Sequence, residues 1–315
     1  MSSEMMYQRD VYGKTLLELG RKDPNIVVLD ADLSGSTRTA FFGREFPERF
    51  FNFGVAEQNM MATAAGLASC GKTVFASTFA MFATGRAWDQ IRNSICYSNM
   101  NVKIVSTHAG ITVGPDGATH QALEDIALMR VIPNMKVIVP CDGPQTREAV
   151  LAAASIKGPV YIRLGRSKFA TLGIKKKFEI GKADVLTEGK DIAIFACGLM
   201  VKNALQAQQA LFQEGISAGV INMHSIKPLD TEIVKKASCS TKGILICEEH
   251  SVIGGLGSAI EEVIAEAGIS SQVRRIAIKN RFGQSGSDQE LLCEYNLRAE
   301  DIAGAARKIV KKRER

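Results

Sequence analysis

The chain of 315 residues has no Cys-x-x-Cys pair, and its seven cysteines are scattered and odd in number. Cys70, Cys96, Cys141, Cys197, Cys239, Cys247 and Cys293 therefore offer neither a zinc ribbon nor a redox dithiol. No apolar run approaches the ~18 residues of a membrane span, and no signal-peptide pattern opens the chain. The setting these absences imply is a reducing cytoplasm, with no membrane partner. Net charge outside the C-terminal tail is scarce too. Of the formal +6, most comes from Arg307, Lys308, Lys311, Lys312, Arg313 and Arg315 against Glu314. Such a run reads as a solvated helix end rather than a nucleic-acid arm. Low-complexity segments and internal repeats are absent. What remains is ordinary globular material, 46% hydrophobic and 23% charged, enough for two cores.

The hydrophobic pattern alternates strand and helix. Residues 4–20 read as a helix ending at Gly20. The apolar run Asn25–Asp30 reads as a buried parallel strand. Further strands are expected at 73–76, 101–106, 135–140 and 160–164, with helices at 57–70, through Trp88 to about 98, and at 124–130 and 145–155. Residues 169–182, with Lys175-Lys176-Lys177, have the look of a linker. A second series follows, with strands at 191–196, 218–223, 243–247 and 273–278 and helices between them. Gly254-Gly255-Leu256-Gly257-Ser258 resembles a nucleotide loop only loosely and lacks a downstream acidic partner, so no dinucleotide site is expected.

Several residues stand out as carriers of chemistry. Glu57 opens an apolar helix among Val55, Met60, Met61, Ala64, Ala65 and Leu67. A carboxylate with so little polar company holds its proton more tightly than in water and could exchange it with a ring nitrogen. The plainer reading is a first-turn glutamate favoured by the helix dipole. Phe79 and Phe82, spaced i and i+3, suit either a core or a flat face for an aromatic ring. Two of the four histidines, His108 and His120, share one loop, 107–121, with Asp116, three glycines and a proline. Proton transfer and hydroxyl recognition suit that set; a metal site is the rival. Asp32 and Ser36 lie in the turn after the first strand. Arg9 is an isolated cation. Arg166, after the strand 160–164, could meet a phosphate.

Taken together and in order, Gly54-Val55-Ala56-Glu57, Ser77-Thr78-Phe79, Asp116-Gly117-Ala118-Thr119-His120-Gln121 and Ile132-Pro133-Asn134-Met135 resemble the C-terminal half of transketolase, over essentially the whole chain. The resemblance implies two doubly wound α/β domains. One is a thiamine diphosphate-binding fold pyrimidine domain with a mostly parallel sheet, residues 1–168. The other, beyond a linker at 169–185, is a transketolase C-terminal-like domain with a mixed sheet, residues 186–315. It further implies that Glu57 bonds N1′ of the cofactor's aminopyrimidine, that Phe79 and Phe82 pack around that ring, and that Asp32 lies at the cofactor. By the same resemblance His108 and His120 handle substrate hydroxyls and protons, Asp116 reads a donor hydroxyl, and Arg9, Ser36 and Arg166 hold a sugar phosphate. A third family aromatic is Gly85 here. The Gly-Asp-Gly motif that holds the diphosphate through Mg2+ or Ca2+ is missing. That implies a separate N-terminal subunit carrying the metal, as in split transketolases, in an α2β2 assembly. The matching half of a deoxyxylulose phosphate synthase, the beta subunit of a 2-oxoacid dehydrogenase, and a catalytically silent assembly partner are the alternatives.

Overall fold

The computed structural model describes residues 4–174 and 176–312. Lys175 of the expected linker, and Arg313, Glu314 and Arg315 of the basic tail, lie outside the described residues.

In chain order the strands are β1 (Met5–Tyr7), β2 (Ile26–Asp30), β3 (Phe50–Asn52), β4 (Thr73–Ser77), β5 (Val102–Ser106), β6 (Lys136–Ile138), β7 (Val160–Arg163), β8 (Lys168–Ala170), β9 (Asp184–Thr187), β10 (Ile192–Ala196), β11 (Ala218–Asn222), β12 (Ser225–Lys227), β13 (Ile244–Ser251) and β14 (Val273–Ile278). Seven form one sheet in the order β12-β6-β7-β5-β4-β2-β3, and five form a second, β14-β13-β10-β11-β9. The first sheet is parallel apart from β12 against β6. The second is parallel apart from β9 against β11. Helices cover both sheets, and the apolar strands β2, β5 and β10 are buried along their whole length, as parallel strands between helical layers must be. These are two α/β domains of the expected class.

The span 4–20 is not a single helix. Met5–Tyr7 is β1, and the helix runs Gln8–Lys22. β1 pairs antiparallel with β8, so the stretch expected to be linker opens inside a strand. Gly20 lies within the helix rather than past its end. The rings of Phe42 and Phe46 come within 2.4 and 2.8 Å of where its Cβ would stand, so the glycine serves close packing. At the far end of the expected linker, β9 begins at Asp184.

The two halves share one apolar core. Met129, Met135, Val137 and Val139 of the first half pack in the same cluster as Phe195, Ile221, Met223 and Ile226 of the second. β12 crosses over and becomes the edge of the first sheet. Because β2, β4, β5 and β7 run parallel as neighbours, their carboxyl ends open on one edge. The loops 31–39, 78–82, 107–121 and 165–167 meet there, which is where open α/β sheets bind ligands.

Candidate functional site

Glu57 is the first residue of the helix Glu57–Ser69 and is 1% exposed. It does not lack polar company, as its apolar neighbours in sequence suggested. Arg86 Nη1 donates to both carboxylate oxygens, at 2.8 and 2.9 Å. The Arg86 guanidinium also lies 4.7 Å over the ring of Phe82, and its carbonyl accepts from Gln58. Arg86 closes a stretch, Phe82–Arg86, over which the helix turns widen to a π-type pitch. Such wide turns often mark functional segments. No local signal in the sequence says that Arg86 faces Glu57.

From Phe82 the site continues as a cluster of rings. Phe79 and Phe82 lie 6.1 Å apart, nearly parallel, and Phe79 stacks on His108 at 3.8 Å and 21°. His120 meets Phe82 edge-on at 5.2 Å and Phe79 at 6.4 Å. The structure thus brings Glu57, Phe79, Phe82, His108 and His120 into one continuous chain of contacts, with Arg86 as the missing link. A Cβ at Gly85 would meet nothing nearer than Met81 Cε at 3.4 Å, so the position of the absent aromatic has room beside it.

His108 sits at φ +58 and is 3% exposed. Its Nδ1 is 2.8 Å from Thr107 Oγ1. Burial first, then the charges of Arg9, Arg166 and His120, push its pKa down to about 3. It is therefore a neutral hydrogen-bonding ring, suited to binding a hydroxyl rather than to carrying a proton near neutral pH. Arg9 is itself lowered from the ordinary arginine range by burial, by Arg38 and by Arg166. These mutual effects mean that Arg9, Arg38, Arg166 and the two histidines crowd one region, and an anion relieves such crowding. Arg9 Nε and Thr78 Oγ1 are buried with no hydrogen-bond partner among the described residues, groups a ligand would satisfy.

Arg38, not anticipated from sequence, is held at φ +70 by an ion pair to Asp10 and a bond to the Gly35 carbonyl. Ser36 lies half-buried in the same turn. The turn itself is built on buried Asp30, which accepts from Leu33 N, Thr37 Oγ1 and Thr39 Oγ1. Asp32, at φ +63, is exposed and pairs with Asn52, which in turn accepts from Gly54 N. Asn52 so links Asp32 to the turn preceding Glu57. Arg166 lines a cavity of about 550 Å³ with Pro115, Gly286, Ser287, Asp288 and Gln289. Asp116 stands exposed at the end of the tight turn Ile111–Asp116, outside the ring cluster.

The apparent nucleotide loop is filled from within. Glu248 accepts from Leu256 N and Gly257 N at 2.7 and 2.8 Å, taking the place an anionic ligand would need. Among the described residues no three metal-ligating side chains converge.

A buried carboxylate at a helix start, flat rings beside it and room at Gly85 fit an aminopyrimidine, and the cationic crowd fits a phosphate ester. Comparison with known proteins identifies the family. The family model described as transketolase, pyrimidine binding domain, matches residues 4–171, and that of transketolase, C-terminal domain, matches residues 181–302. A Methanocaldococcus jannaschii protein provisionally named as a transketolase C-terminal section is 54% identical, over 94% of this chain and 93% of its own. The 6-deoxy-6-sulfo-D-fructose transketolase subunit of a Clostridium species is 40% identical, over 98% of this chain and 96% of its own. The structure of a split gene transketolase, described as an inactive beta4 tetramer, superposes with a TM-score of 0.88 at 51% identity, covering 98% of this chain and 99% of that one.

Proposed function

Since the chain belongs to the transketolase family, with that family's pyrimidine-binding and C-terminal domains in order, we propose that it is the C-terminal subunit of a split transketolase. It moves a two-carbon ketol unit from a ketose phosphate to an aldose phosphate. It acts with an N-terminal subunit that holds the diphosphate and a divalent cation, Mg2+ or Ca2+, in an α2β2 assembly in the cytoplasm. The observation that carries the reading is buried Glu57 joined through Phe82 to the His108–His120 ring cluster, beside the crowded cations Arg9, Arg38 and Arg166. Support for a two-chain enzyme comes from relatives of the same length that are named as subunits or sections.

Bound here, thiamine diphosphate supplies an electron sink for carbon–carbon bond cleavage and formation. Glu57 holds a proton at N1′ of its aminopyrimidine. Phe82 and Phe79 give that ring an apolar wall and keep water off it. Asp32 and Asn52 set the turn at the cofactor's edge. His108, neutral, orients a substrate hydroxyl, Asp116 reads another, and His120 passes protons to and from the sugar oxygens. Arg9 and Arg166, with Ser36 and Arg38, hold the phosphate through charge-assisted bonds.

The test is reconstitution. The chain purified alone with thiamine diphosphate and Mg2+ gives no ketol transfer, and addition of the N-terminal subunit restores it. Turnover by the chain alone would defeat the two-chain reading. Thr107-His108-Ala109-Gly110 and Asp116-Gly117-Ala118-Thr119-His120-Gln121 are strings shared with deoxyxylulose phosphate synthases, and Arg86-Ala87-Trp88-Asp89-Gln90 leans that way, whereas Arg163-Leu164-Gly165-Arg166-Ser167 departs from that family's pattern. Supplying pyruvate and glyceraldehyde phosphate in place of xylulose and ribose phosphates separates the two.

A further inference from the structure

The second half carries none of the proposed site residues, yet one of its side chains is built into the substrate loop. β13 presents consecutive glutamates to opposite faces, as strand geometry requires. Glu248 turns inward to the helix Leu256–Glu266. Glu249 turns toward the first half. There its Oε1 accepts from Thr112 N at 2.6 Å and from Thr112 Oγ1 at 2.7 Å. Thr112 lies in the turn Ile111–Asp116, between His108 and Asp116. The approach is so close that a Cβ at Gly110 would stand 2.4 Å from the Glu249 carboxyl carbon. Gly110 is also at φ +88, so the loop needs glycine there for two reasons.

Neighbouring contacts run the same way. The Glu249 carbonyl accepts from Arg163 Nη2, Ser251 N donates to the Leu123 carbonyl, and Gln121 Nε2 bonds the carbonyls of both Ile111 and Gln284. Glu249 is 4% exposed. Burying a carboxylate is costly, and an apolar residue would often fold as well or better. What the carboxylate contributes here is a fixed direction for one loop amide and one hydroxyl.

We propose that Glu249 is a positioning residue for the substrate. Without touching the sugar, it fixes the turn that sets His108 and Asp116, so the second half governs substrate binding from behind the loop. This rests on the reading of His108 and Asp116 as substrate residues. The structural part, loop order held from the second half, does not.

Hydrogen exchange on the full chain tests that part. In Glu249→Ala the amides of residues 109–117 lose protection by roughly tenfold or more, while those of β10 and β13 keep theirs. Glu249→Gln, which keeps an acceptor, retains most of the protection, and Thr112→Val, which keeps the amide donor, loses less than Glu249→Ala. Ile246→Val serves as a general core-weakening control and leaves the loop protected. Uniform loss across both halves, or an unchanged loop in Glu249→Ala, overturns the proposal.

The second arm uses the reconstituted pair. Glu249→Ala raises KM for the donor sugar phosphate roughly tenfold. Its thiamine diphosphate affinity, read by titration calorimetry of the pair, stays within about twofold. Equal loss of cofactor and sugar affinity contradicts a substrate-positioning role. If the wild-type pair shows no ketol transfer, the functional reading fails, and the exchange pattern still decides whether Glu249 orders the loop.

Discussion

Glu57 and Arg86 form an ion pair that is dry at one end and wet at the other, the carboxylate 1% and the guanidinium 47% exposed. Removing Arg86 strands a buried charge, whereas removing both charges does not. Arg86→Leu should therefore lower stability by ~1 kcal/mol, a modest figure because the arginine is half in water. Adding Glu57→Gln to it should recover much of that loss, read as a double-mutant cycle from urea unfolding. Glu57→Gln alone should keep the fold and cut ketol transfer in the reconstituted pair by ~100-fold or more, the scale of a lost proton-transfer group. Unimpaired turnover would instead favour a silent assembly partner. A second residue-scale consequence concerns pH. Burial pushes His108 down to about 3 and His224 to about 4, so both are neutral when folded. In the unfolded chain they titrate near the ordinary ~6.5. As pH falls below that value the unfolded state takes up protons that the folded state refuses, and stability drops. Between pH 6.5 and 5 each histidine should contribute up to ~1.4 kcal/mol per pH unit to that fall. His108→Gln and His224→Gln should each remove about one proton from the uptake on unfolding, measured as the slope of stability against pH.

At the scale of elements, individual side chains set where helices and loops begin. Asp142 accepts from Gln145 N as the N-cap of the helix Gly143–Ser155, and its other oxygen accepts from Leu172 N. One carboxylate thus starts a helix and clamps the chain leaving β8. Asp142→Ala should cost ~1–2 kcal/mol by urea denaturation with an unchanged m value. It should also speed tryptic cleavage after Lys176 and Lys177, which a pure capping loss would leave alone. β5 shows how far an element can depart from its apolar reading. Lys103 is wholly buried in it and donates to the carbonyls of Ile156 and Gly158 at 2.8 and 2.7 Å. Burial pulls its pKa down to about 7.

For the molecule as a whole, the two halves do not behave as beads on a string. A cluster of buried residues spans them, and β12 from the second closes the edge of the first sheet. A tryptic nick between β8 and β9 should therefore leave both fragments eluting together on gel filtration, with no rise in dye binding to apolar surface. Separation into two species would show that the shared core contributes little. The same construction explains how a site on the first half can be held from the second.

Much of this was legible in the amino-acid order. Strands β2, β4, β7, β10 and β11 sit where apolar runs place them, and β5 and β14 sit where expected although Lys103, Arg274 and Arg275 interrupt theirs. The chemical identity of Glu57, the two phenylalanines and the histidine loop was also plain, because such signals are local. Of the three-residue strands only β6 was legible, at the heart of the apolar run 135–140. β1, β3, β8 and β12 are too short to carry a hydrophobic period, and each exists because a partner strand offers an edge. Nor could sequence foresee that Arg86 reaches Glu57 or that Arg38 joins Arg9. Glu249 meets Thr112 across a separation of 137 residues. Residue types and turn chemistry act over a few positions, so the chain by itself determines which groups are available. Which of them share a charge, a hydrogen bond or a ring face depends on how parallel strands bring distant loops to one edge, and that is decided by packing.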